Sequence, residues 1–404
     1  MNPIEEQIYT RLTKVIDPEL GRSVTDLGMI SGIHVTERTA TGMPDDSRSD
    51  APVHGSDGSD GDIAGDDSSV VNGDDSPVYD VDIDVELTVP GCPLSGTITN
   101  QINGAVSTYP DATLIPHIHV GSMSPDKLNR LVADLKAERR ENPFTKPESK
   151  TRIFAIASGK GGVGKSSVTA NLAATFAAMG YSTAVIDADI YGFSLPRLFG
   201  THAQPTNLNG MLMPVTAWGV KLISIGMFAG SDRAILWRGP RLQRSLEQFL
   251  SDVWWGEPDV LLLDLAPGTG DMAISVAQAL PNTELVVVTT PQPSASDIAV
   301  RSGLVALQMP MKKVRGVIEN MSYYEHNGER LKIFGEGGGA RVSSQLTRDL
   351  GYDVPLLARI PLEPEVREAG EMDGRPAVLN PDGSLRADGM GTVFAQIVHR
   401  LMDE

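Results

Sequence analysis

"GKGGVGKS", Gly159 to Ser166, decides the fold, and it carries one lysine more than its chemistry needs. The pattern G-x-x-x-x-G-K-[ST] is met by Gly159, Gly164, Lys165 and Ser166. Glycines let backbone N–H groups point at phosphate oxygens, and the start of a following helix adds a positive dipole end. Lys165 is then placed to reach the β/γ-phosphates and Ser166 to offer a hydroxyl to Mg²⁺. The backbone and side chains from Ser158 through Lys160, Gly161, Gly162 and Val163 to Ser167 complete the expected cradle. The apolar run "RIFAIAS" precedes the loop, and a helical pattern with a glycine stop, "VTANLAATFAAMG", follows it. Lys160 has no part in this scheme.

Outward from the loop, strand, turn and helix alternate. "STAVIDAD", "DVLLLDLAP", "ELVVVTTP" and "KVRGVIENM" are short apolar runs spaced by helical segments. That pattern predicts an α/β fold with a mostly parallel sheet covered on both faces. Two of the runs end in carboxylates. Asp264 follows "VLLL", the position that holds the metal in phosphate-loop enzymes. Asp187 and Asp189 follow "TAVI", where the carboxyl ends of parallel strands face a ligand. Asp189 is expected to orient the attacking water and Asp187 to help hold Mg²⁺ through its hydration shell; a turn or cap role is the alternative for either. "DLAPGTGD", Asp264 to Asp271, fits a loop that changes shape with the γ-phosphate. The glycine run "FGEGGGA" lacks a preceding strand and reads as a helix-entry turn.

The chain has 404 residues, long enough for two domains, and 41% hydrophobic content supports a real core. No apolar run approaches the ~20 residues of a membrane span. The opening "MNPIEEQIYTRL" lacks the apolar region of a signal peptide, so a cytoplasmic protein is expected. A single cysteine, Cys92, excludes a disulfide or a CxxC metal site within one chain. The net charge is −18, but it is uneven. Residues 1–149 hold 11 Lys/Arg against 26 Asp/Glu, and the rest 23 against 26, so the acidity belongs to the N-terminal third.

That third divides again. Ile4, Ile8, Leu12 and Val15 recur at helical spacing, and "DPEL" should end the helix because the residue before Pro18 disfavours it. A strand is expected near "SGIHVT". Glu37–Val78 holds 11 acids, 2 bases and no aromatic residue, and is read as a disordered acidic insertion (37–78) in a hairpin loop, with an interaction tail or metal-binding tract as the alternative. In "VYDVDIDVELTV" Val81, Ile83, Val85, Leu87 and Val89 alternate with acids, a strand with one packed face and one wet one. "TLIPHIHV" adds another strand, giving a small α+β domain over 1–122. A helix and linker follow over 123–150, and the phosphate-loop domain fills 151–404.

The set "GKGGVGKSSVTANLA", "VIDADIYGFSLPRLFG", "WRGP", "DLAPGTGD", "TTPQPSASD", "IENMS" and "IPLEPEVREAG" resembles the Mrp (ApbC-type) branch of the deviant-Walker P-loop ATPases. These are iron–sulfur cluster carriers related to MinD, ParA and nitrogenase iron protein. The likeness covers about 250 residues. "DPEL", "VTDLGMI" and "TVPGCPL" are similar to the small SufT- or PaaD-like assembly domain, with Cys92 at that family's cysteine. The resemblance implies ATP and Mg²⁺ as cofactors, a homodimer, and clusters passed to apo iron–sulfur proteins alongside assembly factors. It also implies that Lys160 reaches across the dimer to the partner's phosphates, a class of contact worth roughly 10³–10⁵ in rate. By the same likeness Asn320 would hydrogen-bond the adenine.

The sequence departs from the family at one place. A CxxC a few residues after "ENMS" holds the family's bridging cluster; here the stretch reads "YYEHNGERLKIFGEGGG", Tyr323 to Gly339, without cysteine. His326 falls near the lost position, and Cys92 is either an iron–sulfur ligand or a small buried hydrophobe. Two other functions stay open: a ParA- or MinD-like positioning ATPase, and a nucleotide-switched scaffold without its own cluster. Neither nucleic acid nor membrane is expected as a partner. There is no dense basic run between 150 and 404, and the terminal "TVFAQIVHRLMDE" is short and ends acidic.

Overall fold

The computed structural model describes residues 2–38, 77–88, 95–107, 109, 112–137, 142–189, 192–228, 239–268, 271–304, 311–370 and 374–403. Contacts divide the chain into two units, Met1–Leu128 and Asn129–Glu404. Several readings lie wholly or partly outside the described residues: the acidic insertion from 39 to 76, Val89, Cys92, linker residues 138–141, Ile190 and Tyr191, the first two residues of "WRGP", and Thr269 and Gly270 of "DLAPGTGD".

In the first unit, α1 (Pro3–Leu12) begins with a reciprocal cap. The Ile4 N–H donates to Asn2 and the Asn2 N–H to Glu5, with Pro3 in the first turn. Ile8 and Leu12 are buried as their spacing predicts. The helix stops at Leu12, earlier than the proline would require, and Val15 is buried from outside it. Asp17 instead closes a local turn, its carboxylate accepting the Glu19 and Leu20 N–H groups at 2.9 and 2.7 Å.

Strands β1 (Ile30–Glu37), β2 (Val78–Leu87) and β3 (Thr113–Ser122) form a sheet in that order, with α2 (Ser95–Ser107) as the crossover between the parallel pair β2 and β3. Val81, Ile83, Val85 and Leu87 face inward, and α2 buries Ile98, Ile102 and Val106. The acidic face is paired as well as wet. Asp80 accepts from Arg38 and His117 at 2.8 and 2.9 Å, Asp82 lies 2.7 Å from His119, and Glu86 2.5 Å from Lys127. The His117 hydrogen bond holds Asp80 below the usual carboxylate range.

The boundary between units falls within α3 (Pro125–Ala137). In the second unit Phe144 is buried 6.5 Å from Trp255, so this part of the connecting stretch is packed rather than free. The strands are β4 (Arg152–Ser158), β5 (Thr183–Ala188), β6 (Thr206–Leu208), β7 (Met211–Met213), β8 (Val215–Ala217), β9 (Val220–Ser224), β10 (Val260–Leu265), β11 (Glu284–Thr289), β12 (Lys313–Glu319), β13 (Tyr324–His326), β14 (Glu329–Leu331) and β15 (Leu356–Arg359). The helices are α4 (Lys165–Ala178), α5 (Leu195–Leu198), α6 (Gly239–Ser251), α7 (Asp271–Ala279), α8 (Pro293–Leu304), α9 (Gly338–Leu350), α10 (Pro364–Glu368) and α11 (Gly389–Met402).

Eight strands make one sheet in the order β15-β12-β11-β4-β10-β5-β9-β8, parallel except for the edge strand β8; β6 pairs with β7 and β13 with β14. Successive residues of β4 point to opposite cores. Ile153, Ala155 and Ala157 join α6, α7, α8 and α9, whereas Phe154 and Ile156 join α4 and α11. Both faces are therefore apolar, which is why the strands read as continuous hydrophobic runs.

At the start of β11, Glu284 is buried between Arg152, Lys312 and Arg315 at 3.0, 3.3 and 3.6 Å. The same arginines donate onward to the end of α11: Arg152 to the Leu401 carbonyl at 3.0 Å and Arg315 to that of Arg400 at 2.8 Å. One carboxylate thus holds the last helix to the base of the sheet. Glu284→Gln is expected to lower stability by about 3 kcal/mol in urea unfolding, because it leaves partly buried cations unpaired. It should leave nucleotide affinity intact, since the phosphate loop lies at the other end of β4.

Candidate functional site

Strand order builds the site. β4 lies between β11 and β10, and β5 lies beyond β10. The loop Gly159–Gly164 leaves the end of β4 and runs into α4, with Gly162 and Gly164 at φ of 81° and 80°, a conformation that suits glycine. Gly159 is needed for a different reason. A Cβ there would lie 2.5 Å from the backbone of Ile298 and Ala299 in α8.

Asp264, at the end of β10, is fully buried and organises the floor. Its Oδ1 accepts from Lys165 Nζ at 2.7 Å and from Thr169 Oγ1 at 2.8 Å, and its Oδ2 from Ser166 Oγ at 2.5 Å. A serine hydroxyl and a carboxylate side by side are hard oxygen donors that fit Mg²⁺. Asp187 sits in register beside Asp264 on β5. Its Oδ1 accepts the Asp189 N–H at 3.2 Å, and its Oδ2 accepts from Ser194 N, Leu195 N and Ser224 Oγ at 3.2, 3.3 and 3.1 Å. Burial, reinforced by the neighbouring Asp264, raises the Asp187 carboxyl well above the usual range. Asp187 therefore caps the start of α5, the turn or cap role that the sequence left open for it. Asp189 is also buried, its Oδ1 accepting the Gly192 N–H at 3.0 Å.

A cleft of about 320 Å³ opens over the loop, lined by Ser158, Lys160–Ser167, Asp189 and, unforeseen from the sequence, Arg197 of α5. The Ser158 hydroxyl donates to the Lys160 carbonyl at 3.1 Å. Lys160 itself turns away from the cleft's floor. Its Nζ donates to Ser294 Oγ at 3.2 Å and Gln292 Oε1 at 3.4 Å. A second, smaller cavity of about 70 Å³ shares Gly164 and Ser167 with the first and is lined by Asn320, Met321, Pro361 and Phe394. Asn320 Nδ2 donates to the Val163 carbonyl at 2.9 Å, fixing the loop to the end of β12. Gly164 permits this approach, because a Cβ there would lie 2.3 Å from that nitrogen.

Residues 149–401 match the family described as ParA: NUBPL iron-transfer P-loop NTPase. The chain belongs to this family of iron-transfer P-loop NTPases. Residues 5–41 match a second family, the iron–sulfur cluster assembly proteins. The chain is 44% identical over 395 residues to the iron–sulfur cluster carrier protein of Mycobacterium tuberculosis, an alignment spanning 95% of this chain and 92% of that one. It is 33% identical over 412 aligned residues to the carrier protein of Deinococcus radiodurans, spanning 99% and 98%. A solved nucleotide-binding protein from Archaeoglobus fulgidus, in complex with ADP, is 34% identical and covers 57% of this chain and 90% of its own, at a TM-score of 0.47.

In this iron-transfer NTPase the stretch that lacks the cysteine pair forms the hairpin β13–β14, turned by Asn327 and Gly328 at φ of 51° and 81°. Arg330 lies over the Tyr323 ring at 4.4 Å, and Tyr324 stacks on an exposed His326 at 6.1 Å. Among the described residues no group of three or more His, Cys, Asp or Glu is placed to hold a metal. The glycine run beyond the hairpin starts α9, where Glu319 accepts the Gly339 N–H at 2.5 Å.

The loop packing separates two glycines of the same motif. Gly159→Ala is expected to cost about 1–3 kcal/mol, the usual penalty of forcing atoms into packed space. Gly161→Ala, with nothing within 4 Å of its Cβ, should leave the melting temperature unchanged. Thermal unfolding of the two variants checks both.

Proposed function

We propose that the chain is an ATP-binding, ATP-hydrolysing homodimeric carrier that delivers iron–sulfur clusters to apoproteins in the cytoplasm. One observation carries the reading: an NTPase site and an iron–sulfur assembly unit occur in one chain that aligns almost end to end with proteins named as cluster carriers.

Loading the site requires exchanges at Asp264. Lys165 leaves the carboxylate for the β/γ-phosphates, while Ser166 and Asp264 are placed to hold Mg²⁺, with Asp187 close by. When bound, Mg²⁺ neutralises phosphate charge. Asn320, together with the cavity it lines, takes the adenine. Asp189 orients the attacking water. Lys160, resting on Gln292 and Ser294, swings out to the partner's phosphates, so that hydrolysis waits for the dimer. Hydrolysis and cluster handling then divide between units. The hairpin has no thiolate, which leaves Cys92, alone or paired across a dimer, as the protein's own sulfur ligand.

A MinD-like reading needs a terminal helix with a free apolar face. The α11 face is buried: Phe394, Ile397, Val398 and Leu401 lie in the core beside α4. Among the described residues no helix is long and apolar enough to cross a membrane.

Lys165→Ala is expected to abolish ATP binding. Lys160→Ala should bind ATP within a few-fold of wild type yet hydrolyse it roughly 10³-fold more slowly, by analogy with loss of an arginine finger. Calorimetry and phosphate release separate the two. Anaerobic reconstitution with ferrous iron and sulfide tests the carrier half. Stoichiometric iron in the wild type, lost in Cys92→Ala, is the expected result. No iron in either, with hydrolysis intact, would leave a nucleotide-switched scaffold.

A further inference from the structure

We infer that Arg197 is a substrate-contacting residue of the NTPase site, binding the terminal phosphate of the nucleotide. The inference rests on the reading of Gly159–Ser166 as the nucleotide loop and extends it to a residue outside that loop.

The strand order gives the direction of the nucleotide. Asn320 and the small cavity lie at the end of β12, the phosphate loop at the end of β4, and the carboxylates at the ends of β10 and β5. The two cavities share Gly164 and Ser167, so the site is continuous. A nucleotide with its base at the β12 side and its inner phosphates on the loop places its last phosphate toward β10 and β5. The wall at that end is the segment after β5, which carries Asp189 and Arg197.

The charges agree. Among the described residues three cations line the cleft: Lys160, Lys165 and Arg197. Lys165 is bound to Asp264, and Lys160 to Gln292 and Ser294. Among the described residues no hydrogen bond or ion pair engages the Arg197 side chain, which is exposed. A guanidinium is suited to such a post, since its planar fork matches two phosphate oxygens.

The start of α5 is also fixed. Asp187 accepts the N–H groups of Ser194 and Leu195, at the start of the short helix that carries Arg197, and is braced by Ser224. Asp187 thereby acts as a positioning residue for Arg197. The buried carboxylate beside the metal position sets where the guanidinium begins.

A γ-phosphate contact predicts discrimination rather than general weakening. ATP and ADP are titrated against a fluorescent ADP on the full-length protein, comparing wild type, Arg197→Ala, Arg197→Lys and Lys165→Ala. Arg197→Ala is expected to weaken ATP roughly 10- to 100-fold, as for loss of a charged hydrogen bond, while ADP stays within about twofold and the melting temperature is unchanged. Arg197→Lys should recover part of the ATP affinity. Equal weakening of ATP and ADP, or no change in either, would overturn the assignment. Failure of the underlying reading looks different: Lys165→Ala would then bind both nucleotides like the wild type. If Lys165→Ala is defective and Arg197→Ala is silent, the loop stands and only the role of Arg197 is lost.

Discussion

A buried carboxylate that must not stand alone governs this molecule. Asp264 has no access to water, so its charge has to be met by the protein. It is met by a lysine, a serine and a threonine, all from the first turns of α4. In the reading proposed above, two of those three donors are the groups that phosphate and metal claim. One acceptor thus keeps both Lys165 and Ser166 in position at the start of α4. Thr169, which that reading assigns to neither phosphate nor metal, holds Asp264 throughout. Its hydroxyl lies 2.8 Å from the carboxylate and 3.0 Å from the Lys165 carbonyl and shares its one proton between them, anchoring the helix to the strand.

The second carboxylate works in the opposite sense. Asp187 meets backbone N–H groups of the segment after β5, and burial resists its charge. Neighbouring strands thus end in chemically identical groups with different tasks. Asp264 faces the loop and α4, whereas Asp187 faces the turn that lines the far wall of the cleft. Environment, not residue type, separates them.

Much of this was legible in the sequence. The phosphate loop announces itself through spacing, and the five apolar runs around it are strands because a sheet buried on both faces needs no alternation. The wet face of β2 was equally plain from its strict period of two. The missing pieces share a cause. Thr169, Arg197, Gln292 and Ser294 enter the site only through tertiary contacts; Lys160 and Gln292 are 132 residues apart, Thr169 and Asp264 95. No local period encodes such a meeting. The short strands β8, β9 and β15 went unnamed for a related reason, since three to five residues carry too little pattern to separate a strand from a loop. The early end of α1 shows the limit of proline as punctuation: an aspartate turn reshapes the chain before Pro18 while Val15 stays buried.

The position of β4 has a consequence for how the protein comes into being. The strand that launches the phosphate loop is made first among its sheet neighbours, yet it is flanked by β10 and β11, which end at Leu265 and Thr289. Until β10 has left the ribosome, β4 has no partner on either edge and the loop lacks Asp264 beneath it; β11 and α8 come later still. For about a hundred residues of synthesis, the chain's most recognisable motif is without the strands that flank it in the sheet. The sequence that identifies the protein first becomes a site only when the sheet around it has been completed.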